Sequence, residues 1–349
     1  MFTGDFDYTL PADLIAQTPL EKRTSSRMLV VKKRQGVLIH SSFAELPHFL
    51  NGQFMLVVNN TRVFPARMYG KKPTGGKVEI LLVRQLENNH WEALVKPSGS
   101  IKEDTPVTLN GYSRPLIIGK YLHSDRREVF FRDGENPMNA ARQAGTIPLP
   151  PYIKRTFPHN PYEELDKERY QTIFAQDDGS IAAPTASLHF DEEIISALQQ
   201  RNIQRTEITL HVGPGTFLPV KSDLISEHSI ENEWYHIGAD AATAITAHSS
   251  AGKPLLPVGT TVVRTLESAV HVDGVIPHKS GVTNLFIYPG YSFKIIRNML
   301  TNFHLPKSTL FMLVCALAGK DLIVDAYREA IEKRYRFYSY GDAMLILDE

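Results

Sequence analysis

Hydrophobic positions along the chain switch between apolar runs, strict alternation and helical spacing, and the switches mark out two regions. Residues 6–16 read as an extended segment followed by a short helix after Pro11. Residues 28–31 and 37–40 read as paired strands across the Arg34-Gln35-Gly36 turn, and 54–58 is apolar at every position, as a strand covered on both faces should be. From about 67 to 146 the rhythm changes to short alternating runs at 78–83, 91–95, 107–109, 116–118 and 128–131, separated by turns rich in Gly, Asn and Ser. That rhythm predicts a small antiparallel barrel or sandwich. It interrupts a larger unit, because strand–helix alternation resumes only after Pro148-Leu149-Pro150-Pro151.

Beyond the interruption the spacing predicts helices at 191–200, 239–250, 262–270 and 327–335, with strands at 204–211, 255–258 and 285–288. A buried apolar helix is expected at 310–317, with Pro306 placed to open it. The expected fold is an α/β main domain (a mixed sheet or barrel-like) made of residues 1–66 and 147–349. It carries an inserted small antiparallel β-barrel domain at 67–146.

Composition changes this picture little. The 349 residues, 42% hydrophobic and 22% charged, suffice for a sizeable core. The first residues lack a basic, apolar leader, and the longest apolar run, 310–318, is too short for a bilayer, so a cytoplasmic protein without membrane contact is expected. Cys315 is the only cysteine, which excludes an internal disulfide, a cysteine zinc cluster and a cysteine-ligated iron–sulfur cluster. Net charge is zero but unevenly spread: residues 60–160 hold 16 Lys+Arg against 9 Asp+Glu, and 161–293 hold 8 against 17. A basic segment beside an acidic one can place a polyanion on one and a cationic group on the other; uneven solvation is the plain alternative.

Four polar clusters sit at strand or helix ends, where α/β domains build sites. They are 182–190 around Thr185 and His189, 209–217 around His211, Gly213 and Gly215, 259–267 around Thr260, Thr261, Arg264 and Glu267, and 301–309 around Asn302, His304, Lys307 and Ser308. Gly213 and Gly215 allow close backbone approach to a ligand or a bare tight turn, and their spacing matches no phosphate or dinucleotide fingerprint. Thr260 or Thr261 can cap the next helix, or its free N–H groups can hold a carboxylate. Arg264 and Glu267, three apart, suit an intrahelical ion pair. Eight of the 13 histidines fall between His189 and His304, yet none has zinc-ligand spacing, so no metal is expected. His40, His48, His90 and His159 read as structural. Basic and aromatic residues interleave at 333–342, a pattern that stacks unpaired bases or packs a helix end.

Taken in order, these clusters resemble one family, the S-adenosylmethionine:tRNA ribosyltransferase-isomerases of queuosine biosynthesis. The resemblance rests also on Phe6-Asp7-Tyr8, Leu10-Pro11, Ser26-Arg27, residues 59–62, Pro65-Ala66-Arg67, residues 151–155, Tyr170-Gln171-Thr172, Tyr335-Arg336-Phe337 and residues 339–344. It spans nearly the whole chain. The family usually has glycine where Ser187 stands, Met-His where Ile230-Glu231 stands, and alanine at Pro214.

The resemblance implies transfer and isomerisation of the ribosyl part of S-adenosylmethionine onto 7-aminomethyl-7-deazaguanine at the tRNA wobble position. The products are epoxyqueuosine, adenine and methionine. S-adenosylmethionine is then a consumed substrate, no metal or redox cofactor is expected, and the partner is the tRNA anticodon arm, with no protein partner and a monomeric chain. A sulfonium acidifies the adjacent ribose C–H, and His189, His211 or Glu233 is the candidate base. His304 or Asp342 is the candidate donor to departing adenine. Glu233 or Glu267 suits the sulfonium, and Thr260-Thr261 or Lys307 the methionine carboxylate. Arg62 and Arg67 suit anticodon-arm phosphates, and Thr185, Gly213, Gly215, Arg264, Asn302, Ser308, Arg336 and Tyr340 complete the expected substrate contacts. His189, His211, Thr260 and His304 are expected to share one pocket. The competing readings are a non-catalytic tRNA-binding module, another S-adenosylmethionine-dependent RNA-modifying transferase such as a methyltransferase, and a metal-dependent hydrolase.

Overall fold

The computed structural model describes residues 1–123, 125–156, 160–217 and 219–349. Two mixed sheets and a two-stranded parallel ladder of Thr61–Val63 with Asp177–Ser180 form the α/β part. One has four strands in the order Met299–Asn302, Ala343–Leu347, Arg27–Lys32, Val37–Ser42. The other has five, Leu255–Pro257, Met55–Asn59, Gln204–Leu210, Glu233–Ile237 and Lys279–Thr283, the first three parallel and the last two antiparallel. A parallel bridge between Val258 and Leu300 joins them. The two-sheet arrangement explains why several strands are apolar at every position. Met55 and Val57 enter one core cluster while Leu56 and Val58 enter another, and Leu29 and Val31 separate from Met28 and Val30 in the same way. Side chains alternate across a strand, so a strand with core on both sides has no polar phase.

The interruption is a closed six-stranded antiparallel barrel of Arg67–Lys71, Lys77–Gln85, Trp91–Lys96, Thr105–Leu109, Pro115–His123 and Arg126–Phe130. Its interior is filled by alternate residues such as Val78, Ile80 and Leu82 or Leu116 and Ile118. Each such burial contributes about 1.5–3 kcal/mol. The helix Pro137–Ala144 packs Ala140 and Ala141 onto the same cluster. Arg67 and Thr146 exchange backbone hydrogen bonds of 3.2 and 2.8 Å, so the chain leaves the barrel where it came in.

Several expected elements shift. The segment expected as a strand at 285–288 pairs with nothing in a ladder; its side chains pack on the core while the Leu285 carbonyl accepts from Arg264 Nε at 2.9 Å. Pairing falls to Lys279–Thr283 instead. The last helix runs Lys320–Glu332, not to Tyr335, and starts after Gly319, whose φ of 91° ends the helix Thr309–Ala318. Pro306 does not open that helix. Ser308 caps it, accepting from Phe311 N at 3.1 Å. The helix expected at 262–270 is Thr260–Ala269, begun by Gly259 at φ 94°. Among the described residues no helix is long and apolar enough to cross a membrane.

Candidate active site

The parallel strands end together, and the chain leaving each end carries the polar residues. Leu255–Pro257 leads into the helix Thr260–Ala269, and Gln204–Leu210 into His211, Val212 and Gly213. Glu233 opens the neighbouring strand and is buried. It accepts from Gly213 N at 2.9 Å and pairs with Arg264 Nη1. Arg264 spends its Nε on Leu285, and its Nη2 is buried with no partner among the described residues. Gly213, Gly215, Glu233 and Arg264 line a cavity of about 380 Å³, together with Lys221, Glu227, His228, Glu231 and Thr309. The barrel reaches its rim: Arg126 Nη2 meets both Glu231 oxygens at 2.8 and 2.9 Å. The His228 ring makes no hydrogen bond to the described residues, and burial lowers its pKa. An imidazole, carboxylates and a guanidinium with one unpaired nitrogen therefore border a single space.

His211 sits on the neighbouring strand end. Its Nδ1 lies 2.8 Å from Thr61 Oγ1, and its ring stacks on Trp234 at 4.9 Å between centroids. Burial lowers its pKa, against the raising effect of Asp177 and Asp178. His189 is further away in a chain of hydrogen bonds. Asn302 Nδ2 donates to Tyr338 O at 3.1 Å and reaches His189 Nε2 at 3.2 Å; His189 Nδ1 lies 2.7 Å from Ser26 Oγ. An amide nitrogen can only donate, so Nε2 accepts and Nδ1 carries the proton. Burial, with Arg336 and Arg23 nearby, holds this imidazole neutral with a pKa of about 3.

The family model for queuosine biosynthesis proteins matches residues 3–346. The chain belongs to this family. Three relatives bear the name S-adenosylmethionine:tRNA ribosyltransferase-isomerase. That of Symbiobacterium thermophilum is 46% identical, covering 99% of this chain and 100% of its own. That of Natranaerobius thermophilus is 47% identical, over 98% of each. That of Carboxydothermus hydrogenoformans is 48% identical, over 98% of this chain and 99% of its own. The crystal structure of S-adenosylmethionine tRNA ribosyltransferase from Thermotoga maritima is 33% identical, covers 98% of this chain and 100% of its own, and superposes with a TM-score of 0.54.

The remaining residues that the family resemblance singled out fall in several places, and the single pocket expected for His189, His211, Thr260 and His304 is not what the fold builds. None of the four lines the Glu233 cavity, and His189 lines a separate cleft with Arg336 and Tyr340. His304 is buried, its Nε2 2.9 Å from Thr301 Oγ1, and burial takes its pKa to about 3. Asp342 is occupied by Arg27 N, Nε and Nη2 and by Arg336 N at 2.8–3.3 Å, so its oxygens are used in holding Arg27 and the Arg336 backbone. Glu267 does not pair with Arg264. It accepts from Tyr291 Oη and from the backbone of Lys294, Ile295 and Ile296, so it fixes that loop and is closed to a sulfonium.

Lys307 pairs with Asp7 at 2.7 Å, and Ser308 is used as the cap. Arg62 is exposed and donates to Ala175 O at 2.8 Å. Arg67 lines a third, larger cleft of about 700 Å³ between the barrel and residues 145–171. Thr185 begins the turn that ends at His189. Thr260 and Thr261 start their helix without a side-chain cap, and buried Thr261 Oγ1 has no partner. His40, His48 and His90 are held by Tyr335 and Glu329, by Glu45 and by Glu128; His159 lies outside the described residues. Among the described residues no group of three or more His, Cys, Asp or Glu is placed to hold a metal. Lys221, Glu227, His228 and Arg126 were not singled out from the sequence. In the sequence His228 stands with Glu231 and Glu233 only as a metal set with the wrong arrangement; the fold brings Lys221, Glu227 and His228 to one cavity and Arg126 to its rim through Glu231.

Proposed function

We propose that this chain transfers and isomerises the ribosyl moiety of S-adenosylmethionine onto 7-aminomethyl-7-deazaguanine at the wobble position of tRNA, in queuosine biosynthesis. Membership of the family along the whole chain supports the reaction. The observation that carries the site assignment is the Glu233 cavity, where Glu227 adds a carboxylate to the Arg126-held Glu231 and the Arg264-held Glu233 and suits a sulfonium or an ammonium. The spare Nη2 of Arg264 suits a carboxylate. Those are the three charges at the amino-acid end of S-adenosylmethionine.

In this reading His228 takes the proton from the ribose carbon next to the sulfonium. A neutral imidazole open to the cavity suits that task better than His189 or His304, whose depressed pKa values make them weak bases. His211, on the next strand end, is the second candidate. The Thr260-Thr261 helix start, uncapped and with a partnerless hydroxyl, suits a further oxyanion or polar group of the nucleoside. The sulfonium compound is consumed, and the reading needs neither a resident metal nor a redox group. Residues 67–146 form a separate domain in this reading, its Arg126 closing one rim of the cavity through Glu231.

The test is product analysis with labelled S-adenosylmethionine and tRNA that carries the aminomethyl base. Free adenine, free methionine and an epoxyqueuosine-bearing tRNA are expected. S-adenosylhomocysteine would indicate methyl transfer, and tRNA binding with no product would indicate a binding module.

A further inference from the structure

Three arginines from distant parts of the chain, Arg23, Arg169 and Arg336, line one open cleft with Ser26, His189 and Tyr340. No carboxylate lines it. The arginines are held by backbone carbonyls, which fix direction without cancelling charge. Arg23 donates to Leu188 O and Gln171 O at 3.0 and 2.9 Å, Arg169 to Glu21 O and Leu20 O at 3.0 and 2.8 Å, and Arg336 to Thr18 O. Two nitrogens turned away from bulk solvent, Arg169 Nε and Arg336 Nη1, have no partner. The nearest carboxylate to Arg336, Asp342, is taken up by Arg27 and by the Arg336 backbone. Burial and the neighbouring Arg169 lower the pKa of Arg23, burial lowers that of Arg336, and His189 beside them is neutral.

Like charges held together at reduced dielectric repel, and donors left unpaired add to the cost. Both costs vanish when an oxyanion enters, and the planar fork of arginine matches a phosphate oxygen pair. The cleft is small and open to solvent, so a phosphate oxygen can reach the arginines from outside. We propose that the Arg23–Arg169–Arg336 cleft holds a backbone phosphate of the tRNA substrate. This rests on the tRNA-modifying reading above. Glu168 and Asp191 act on Arg23 and Asp342 on Arg336 from outside the lining. Of the two substrates, S-adenosylmethionine is itself cationic at its sulfonium and ammonium, so a cleft lined by three guanidinium groups and no carboxylate disfavours it and favours the polyanion.

The test measures binding of the full chain to an anticodon stem-loop RNA that carries the aminomethyl base, across a salt series. Arg169→Gln and Arg23→Gln are each expected to weaken RNA binding about tenfold and to make the log–log salt slope shallower by about one. Binding of S-adenosylmethionine and the thermal melt should hold, and Arg169→Lys should recover part of the loss. In the wild type, the RNA and not S-adenosylmethionine should protect Arg169 from an arginine-specific dicarbonyl reagent, a readout that needs no substitution. Unchanged RNA affinity and slope in the variants, or absent protection, overturns the cleft while leaving the reaction standing. Loss of S-adenosylmethionine binding with RNA binding intact makes it a carboxylate site and overturns the proposal too. A wild type that neither binds the RNA nor releases adenine overturns both.

Discussion

Arg264 and Glu233 form an ion pair in which both side chains are 4% exposed, in the wall of a cavity that is also lined by Glu227, His228 and Glu231. The pair joins the helix Thr260–Ala269 to the strand Glu233–Ile237. Removing one partner leaves a buried charge uncompensated, so Glu233→Ala is expected to destabilise the fold by about 3–5 kcal/mol. Urea melts check this. Glu233→Gln, which keeps an acceptor for Gly213 N, should lose less.

Thr261 carries a buried hydroxyl without a partner. Thr261→Val is expected to leave stability unchanged or raise it by about 1 kcal/mol, because an unsatisfied polar atom is replaced by an apolar one of equal shape. If that hydroxyl waits for substrate, the same variant binds S-adenosylmethionine more weakly. Calorimetric titration beside a thermal melt separates the two effects.

His189 and His304 have folded pKa values of about 3, well below the ordinary 6.5. The unfolded chain takes up protons there that the folded chain refuses. Their stabilisation is therefore complete above pH 6.5 and is lost as pH falls from 6.5 towards 3, with a slope approaching about 1.4 kcal/mol per pH unit for each. His304→Gln should flatten the stability–pH curve over that window by about one such slope. An unaltered curve would contradict the assignment.

Gly179 packs against His211: a Cβ added there would stand 2.5 Å from the ring Nε2. Gly179→Ala is expected to push the imidazole off Trp234 without removing it. Gly179 sits at φ 153°, so the substitution also strains the backbone and lowers the melt; a fall in turnover measured well below that melt places His211 in the reaction. Unchanged turnover gives it a packing role beside Thr61.

The barrel, and strands 28–31, 37–40, 54–58, 204–211 and 255–258 of the two sheets, were readable in the sequence because apolar runs and period-two patterns report burial directly; Glu233–Ile237, Lys279–Thr283 and Ala343–Leu347 were not expected. Strands such as 54–58 and 28–31 show every residue apolar since each face meets a core. Strand Met299–Asn302 escaped because its end is polar, with Asn302 used inside the core to hold His189 and Tyr338. Segment 285–288 looked like a strand because its side chains are buried, yet its backbone bonds to Arg264 instead of a neighbour.

The site was legible in part. Gly213, Gly215, Glu233 and Arg264 come together. His304, Asp342, Glu267 and Ser308 have polar side chains in functional-looking motifs that the fold spends on its own hydrogen bonds. Sequence pattern does not distinguish a polar group that binds substrate from one that secures a loop. Lys221, Glu227 and His228 belong to no motif, and only their shared cavity reveals them.

The Glu233 cavity is the proposed place of reaction. Its sharpest test is single-turnover adenine release by His228→Asn and Glu233→Gln, with tRNA affinity measured alongside. A fall of about 10²–10⁴-fold in the rate with RNA binding kept is expected; near wild-type release by both variants places the reaction elsewhere.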